Sequence, residues 1–195
     1  MDRRQRGFSL IEMLTVVGVM AVVLLGVGQL VDRMQRQYDS QRRQIEAVDN
    51  ARAALDALVR LVRLAGNNPR GLAGLQAITP DADGNGVMDS IAFQSDWNPG
   101  DGVVTDPYEN IVFFVANGKL MKREAGDPPE GVEFAEGVES ITFNYADTDM
   151  NALANPVAAP GQIAYVGVTL VVRPEGPPGT LPLTISSGAA VRRRE

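Results

Sequence analysis

The feature that most constrains this chain is a long apolar run, residues 8–31, which follows a short basic leader. At about 1.5 Å per residue in a helix, such a run is long enough to cross a lipid bilayer. It contains a single charged residue, Glu12, close to its start. A carboxylate in a membrane helix costs about 2.5–3.5 kcal/mol at the bilayer centre and less near an end. We therefore expect Glu12 to have a function that offsets this cost.

The leader indicates how the chain is oriented in the membrane. Arg3, Arg4 and Arg6 precede the apolar run, and positive residues mark the cytoplasmic side of a membrane helix. The run is longer than the roughly 7–15 apolar residues of an ordinary secretory signal, and it has no Ala-x-Ala-like end. These features predict a single-pass inner-membrane segment with a cytoplasmic N-terminus and an exported C-terminal part.

The junction between leader and apolar run carries a family resemblance. Residues 7–14, GFSLIEML, resemble the class III signal of type IV pilins and type II secretion pseudopilins. The resemblance implies that a prepilin peptidase removes residues 1–7 by cleaving between Gly7 and Phe8, and that Phe8 is then N-methylated. It also implies that Glu12 pairs with the Phe8 amine of a neighbouring subunit, because a pair of buried opposite charges offsets much of the cost of burying each alone.

Composition narrows the function of the exported part. The 195-residue chain has no cysteine and no histidine, which excludes disulfides and both thiol and imidazole chemistry. Its formal net charge is −6, and the acidic residues lie mostly after residue 80, so nucleic acid is not expected as a partner of the soluble domain. No nucleophile–base arrangement or phosphate-binding loop is evident, so we do not expect an enzyme.

The helix is expected to continue beyond the membrane, because no proline occurs before Pro69. Residues 32–65 are first polar on every face and then amphipathic, which predicts that the second part packs against a sheet. Gly66 and the residues up to Pro69 supply stop signals, so the predicted helix covers about residues 8–65. The apolar residues that recur at helical spacing are Ile45, Val48, Leu55, Leu58, Val59 and Val62.

Residues 81–89, DADGNGVMD, match the start of an EF-hand calcium loop, with oxygen-bearing residues at alternate positions and glycine at the sixth. The twelfth position is Ala92, so the bidentate glutamate is missing and another ligand, such as Asp96, is needed. The alternative is a plain turn before a strand, which Asp, Asn and Gly form readily. The predicted calcium ligands are Asp81, Asp83, Asn85, the carbonyl of Val87, and Asp89.

Downstream of this loop the apolar period becomes alternating, which predicts antiparallel strands within a soluble domain of residues 66–195. Asn117-Gly118 between two apolar segments is a strong hairpin signal. The predicted fold is α+β and pilin-like, a long N-terminal helix, transmembrane in its first half, packed on an antiparallel β-sheet. The predicted strands are residues 90–95, 111–115, 119–124, 138–145, 163–173 and 183–193.

A weaker resemblance covers the later strands. Residues 136–145, EGVESITFNY, followed by a Val-x-Val-x-Leu strand, are similar to PilW-type minor pilins and GspJ-type pseudopilins. This implies a minor type IV pilus subunit that contributes to pilus assembly or initiation, or else a type II secretion pseudopilin. A membrane-anchored calcium-binding module that does not polymerise is the alternative outside this class. The implied partners are prepilin peptidase, major and minor pilin subunits, the inner membrane and the pilus assembly platform, and the implied destination is a cell-surface pilus or a periplasmic pseudopilus.

Overall fold

The computed structural model describes residues 9–97, 100–174 and 180–192. The chain divides into two compact units, Met1–Arg42 and Arg43–Glu195. A single helix, α1 (Leu10–Leu64), contributes to both units. The leader, with Gly7, and Phe8 lie outside the described residues. The predicted helix start at about residue 8 therefore stays a prediction, and the described helix begins at Leu10.

In the first unit, α1 is an exposed apolar helix. The carbonyl of Ser9 accepts hydrogen bonds from the amides of Glu12 (3.0 Å) and Met13 (3.2 Å), which begins the helix. Its large apolar side chains are exposed from Leu10 (81%) to Val31 (45%). Among the described residues, α1 is the one helix long and apolar enough to cross a membrane.

Two antiparallel sheets accompany α1 in the second unit. The strands in the described residues are β1 (Ile78–Pro80), β2 (Ser90–Gln94), β3 (Asn110–Ala116), β4 (Lys119–Arg123), β5 (Val132–Glu136), β6 (Val138–Ala146), β7 (Tyr165–Val172) and β8 (Leu183–Ala190). One sheet has the order β1-β2-β3-β4-β5 and the other β6-β7-β8. A short 3-10 helix, Pro160–Gln162, precedes β7. The α+β class, with a long N-terminal helix on antiparallel sheets, is confirmed.

The hairpin at Asn117-Gly118 is also confirmed. Ala116 pairs with Lys119 across the turn that joins β3 and β4. Asn117 and Gly118 have φ angles of 53° and 72°, the two positive values that a type I′ turn requires. Local sequence therefore determines both the turn and the register of this strand pair.

Two strands, β1 and β5, were not predicted, and the predicted single sheet is two. β1 has only three residues and ends in Pro80, which suits the edge of a sheet. β5 pairs with β4 through a register shift next to Leu120, so its residues do not alternate cleanly. Gly137 then adopts a φ of 71° between β5 and β6, and the chain passes from one sheet to the other there.

The buried face of α1 begins later than predicted. Ile45 is 62% exposed and Val48 is half-buried, so the prediction that both lie on the packed stripe was wrong for Ile45 and only partly right for Val48. The buried stripe instead begins with two alanines, Ala51 and Ala54. The buried helix residues are Ala51, Ala54, Leu55, Leu58, Val59 and Val62.

The core of the second unit is built around aromatic residues of the five-stranded sheet. Phe113 makes edge-to-face contacts with Phe93 (6.1 Å between ring centroids) and Phe134 (5.1 Å). Each such pair contributes about 0.5–1.5 kcal/mol beyond the area it buries. The three-stranded sheet adds alternate buried residues, namely Ile141, Phe143, Val166, Val168, Leu170 and Val172.

The end of α1 is fixed against β2. Gly66 has a φ of 78°, and its amide donates to the carbonyl of Gln94 at 2.9 Å. A Cβ at this position would lie 2.9 Å from the carbonyl oxygen of Arg192, so the turn requires glycine. The residues that follow the helix are thereby placed beside the end of β2.

Candidate functional site

The start of α1 holds the first candidate residue, Glu12. It lies in the first helical turn with an exposed side chain, where the helix dipole favours a carboxylate. The hydroxyl of Thr15 donates to the carbonyl of Glu12 at 2.8 Å, so this contact uses the backbone and not the carboxylate. The predicted cleavage residues, Gly7 and Phe8, lie outside the described residues and stay a prediction.

The surface that follows Glu12 is apolar. In the described part of the chain, a Cβ built on Gly18, Gly26 or Gly28 would have no neighbour within 4 Å. No contact inside the chain therefore requires glycine at these positions. Small residues on an apolar helix permit the close approach of a second helix in lipid. This surface can pack against lipid or against other helices.

The acidic loop, residues 81–89, is closed by its first carboxylate. Asp81 accepts hydrogen bonds from the amides of Asn85 (2.9 Å) and Gly86 (2.8 Å), and it adopts a positive φ of 50°. The carbonyl of Met88 accepts the amide of Phe143 at 3.0 Å. The loop is therefore a compact turn that is attached to β6.

The predicted ligands in this loop contact one another. Asp83 accepts hydrogen bonds from the Ser90 hydroxyl (2.7 Å) and the Asn85 side-chain amide (2.8 Å). The same Asn85 amide lies 3.3 Å from Asp89 Oδ1, and Asn85 Oδ1 accepts the Val87 amide at 2.6 Å. Burial would raise the pKa of Asp83, but hydrogen bonds from Ser90 and from loop amides hold it below its ordinary value.

These contacts form a turn, and calcium binding at residues 81–89 stays a prediction. In the residues that the structure describes, no three Asp or Glu side chains form a group that could hold a metal ion. Asp96, one of the two options for the missing ligand beside a more distant residue, lies far from the loop because it follows the other end of β2. Asp81 pairs with Ser90 at one end of that strand, and the six residues to Asp96 span about 20 Å in an extended chain.

A second acidic region was missed from sequence. Asp96 and Glu109 are both fully buried at the two ends of the loop that joins β2 and β3. The Asp96 amide donates to the Asn67 carbonyl at 2.7 Å, and Glu109 Oε1 accepts the Trp97 amide at 2.9 Å. The signal available in the sequence was the density of carboxylates in this segment, at Asp96, Asp101, Asp106 and Glu109.

Comparison with known proteins identifies the N-terminal segment. Residues 2–28 match the family model described as the prokaryotic N-terminal methylation motif. No curated protein matches the chain. The match includes the leader, the predicted cleavage position and most of the apolar run. It indicates a type IV pilin-like or pseudopilin precursor that prepilin peptidase processes, and the apolar helix is consistent with inner-membrane anchoring.

Proposed function

We propose that this chain is a minor pilin subunit of a type IV pilus and that it contributes to pilus assembly or initiation. The observation that carries the proposal is the methylation motif at residues 2–28, followed by a helix whose apolar side chains are exposed up to Val31. Monomeric soluble proteins rarely expose an apolar surface of this extent, so lipid or other subunits are expected to cover it.

The proposed assembly step rests on charge. Cleavage between Gly7 and Phe8 creates a positively charged amine at Phe8, which methylation retains. In a filament core this amine and the Glu12 carboxylate would both be surrounded by apolar side chains. Because removing one partner of a buried ion pair leaves an uncompensated charge, pairing Glu12 with the Phe8 amine of a neighbouring subunit would fix the axial register.

The resemblance to PilW-type minor pilins supports a minor role over that of the repeating subunit. The residues that carry it form β6 and β7, which pair with Phe143 opposite Val168. The methylation motif supports a GspJ-type pseudopilin of a type II secretion machine equally well, and this is the second candidate. We propose a structural and not a catalytic role for both, since the chain has no histidine or cysteine.

A clean deletion strain separates the candidates. Surface filaments are sheared off and quantified, and secreted enzymes are assayed in parallel. Loss of pili with normal secretion supports the minor pilin. Normal pili with failed secretion supports the pseudopilin and contradicts our first choice. If both are normal, the remaining alternative is a membrane-anchored module that does not polymerise.

Calcium binding at residues 81–89 is a separate proposal, supported by the spacing of the oxygen-bearing residues. Asp81→Asn removes the charge and keeps one of the two oxygens that accept the amides of Asn85 and Gly86. Calorimetric titration of the full-length protein in detergent is expected to show one binding step fewer for this variant than for the unsubstituted chain. Identical calcium titrations of the variant and the unsubstituted chain would contradict calcium binding at residues 81–89.

A further inference from the structure

The loop between β2 and β3 has two buried carboxylates at its base. Gln94 pairs with Asn110 where the strands end, and the Ser95 amide donates to the Glu109 carbonyl at 2.8 Å. Asp96 follows directly after Ser95, and Glu109 directly precedes Asn110. Backbone pairing therefore holds the two acidic residues at the closed end of one loop, where neither side chain is exposed to solvent.

One oxygen of this pair lacks a partner. Asp96 Oδ2 accepts the amide of Gly102 at 3.0 Å, from within the same loop. Asp96 Oδ1 is buried and has no hydrogen-bond partner among the residues that the structure describes. A buried carboxylate oxygen that has lost its water and gained no donor is strongly destabilising. This oxygen therefore points to a bound positive group.

Other negatively charged groups lie near Asp96 and Glu109. The pKa of the Asp106 carboxyl is raised, first by desolvation and then by the charges of its neighbours Asp101, Glu109 and Asp96. The Asp96 amide is bonded to Asn67, three residues beyond the end of α1, and a helix C-terminus carries partial negative charge. Two cations lie beside the loop: Arg70, whose Cδ would be 3.8 Å from a Cβ on Gly102 and whose side chain is exposed, and Lys122, whose Nζ is 5.1 Å from the centroid of the Tyr108 ring.

We infer that a calcium ion binds between the carboxylates of Asp96 and Glu109, at a site distinct from residues 81–89. Calcium takes six to eight oxygen ligands in flexible geometry, so backbone carbonyls and water can complete a site that has only two buried carboxylates. No three Asp or Glu side chains in the described residues form a group that could hold a metal ion, so the inferred site rests on two carboxylates and needs these further oxygens. The chain has no histidine or cysteine to favour a softer metal.

The fluorescence of Trp97 can report on ion binding at this site. Trp97 is the only tryptophan in the chain, and its amide donates to Glu109 Oε1 at 2.9 Å. It directly follows Asp96, so an ion between the two carboxylates would change its surroundings. The acidic loop at residues 81–89 lies at the other end of β2 and should not affect Trp97 fluorescence.

The test uses the full-length protein in detergent, stripped with a chelator and titrated with calcium chloride while Trp97 fluorescence and thermal unfolding are followed. We expect a saturable fluorescence change and a higher unfolding temperature, with a midpoint at about 10⁻⁴–10⁻³ M, the range of extracellular calcium modules. Asp96→Asn and Glu109→Gln keep the acceptors for the Gly102 and Trp97 amides. Each is expected to weaken calcium binding by about tenfold or more, because ligand charge sets the affinity.

The matched control is Asp83→Asn in the acidic loop, which should leave the Trp97 response unchanged. The inference is overturned if calcium leaves the wild-type signal unaltered, or if Asp83→Asn removes the response while Asp96→Asn retains it. An equal response to magnesium at the same concentrations overturns the assignment to calcium. Greater stability at lower pH without any calcium effect would show that a proton neutralises the pair, and would also overturn it.

Terbium luminescence keeps the inference testable if the variants fail to fold. Terbium replaces calcium at oxygen sites and emits when a nearby tryptophan is excited. On the wild-type protein, emission sensitised by Trp97 and displaced by calcium supports the site. No sensitised emission overturns it.

Discussion

The two parts of α1 both carry apolar side chains, but they differ in whether those side chains are buried. In the second unit, Leu58 and Val62 are completely buried against the sheets. In the first unit, Leu24 is 62% exposed, as are its apolar neighbours along the helix. The apolar surface of α1 in the second unit is therefore covered by the chain's own sheets. The apolar surface in the first unit is exposed and can be covered by lipid or by another subunit.

An apolar helix surface therefore does not by itself show whether the chain's own fold covers it. The two apolar surfaces also differ in whether they include a charged residue. Glu12 lies within the exposed run, whereas the buried stripe from Ala51 to Val62 contains no charge on its packed face. The proposed pairing with the Phe8 amine of a neighbouring subunit would offset the cost of this carboxylate, and the methylation motif at residues 2–28 supports that proposal.

The largest expected effect follows from removing the charge of Glu12. Glu12→Gln would leave the Phe8 amine of a neighbouring subunit unpaired in apolar surroundings, a loss of about 3–5 kcal/mol for a buried pair. We expect incorporation into filaments to fall by more than tenfold, or about 1.4 kcal/mol. The measurement is immunoblotting of sheared filaments against whole-cell protein.

Asp32→Asn is the control for this experiment. Asp32 follows the other end of the apolar run, where its exposed carboxylate already pairs with Arg36 at 2.7 Å. Its substitution should leave incorporation normal. Equal incorporation of Glu12→Gln and the unsubstituted chain would contradict the pairing mechanism.

A matched pair of leucines tests the comparison directly. Leu58→Ala removes a completely buried side chain and should lower the free energy of unfolding by about 2–5 kcal/mol. Leu24→Ala makes the same chemical change on the exposed part of α1 and should alter that free energy by no more than about 0.5 kcal/mol. Denaturant unfolding in detergent, followed by Trp97 fluorescence, measures both. Similar losses for the two variants would mean that the first unit has an intramolecular core.

Two glycines extend the comparison to the backbone. Gly66→Ala places a Cβ 2.9 Å from the Arg192 carbonyl at a φ of 78°, and should destabilise the second unit by about 1–3 kcal/mol. Gly26→Ala meets no described atom within 4 Å and removes a helix-weakening residue, so it should not lower stability. Thermal unfolding and helix content by circular dichroism distinguish the two. Destabilisation by Gly26→Ala would show a contact on that face.

The features that sequence predicted correctly are those that neighbouring residues determine. Asn117 and Gly118 form their turn because both accept positive φ, whatever lies elsewhere in the chain. Leu55 to Val62 follow the helical period, so their burial was predictable once a sheet was expected. The methylation motif is likewise a contiguous pattern.

The features that were missed depend on distant partners. Ile45 has the helical spacing of the buried residues of α1, but full burial begins only at Ala51. The helical period of apolar residues cannot show how far the sheets extend along the helix. Asp96 and Glu109 look like ordinary loop acids in sequence. Their burial arises from the pairing of Gln94 with Asn110 and from the bond of Asp96 to Asn67, neither of which a local pattern contains.

The smallest expected effect concerns an exposed ion pair of the second unit. Arg173 donates to both carboxylate oxygens of Glu139, at 3.0 and 2.9 Å, and these hydrogen bonds lower the pKa of Glu139. A carboxyl whose pKa is lower in the folded state stabilises the fold above its unfolded pKa, and this stabilisation is lost as the pH falls through the folded pKa. Glu139→Gln should therefore reduce the unfolding temperature slightly near neutral pH and flatten its decline in acid, whereas Glu130→Gln, on an exposed turn, should change neither. An unchanged acid profile for Glu139→Gln would mean that the pair contributes nothing to the stability of the sheet, as many exposed ion pairs do not.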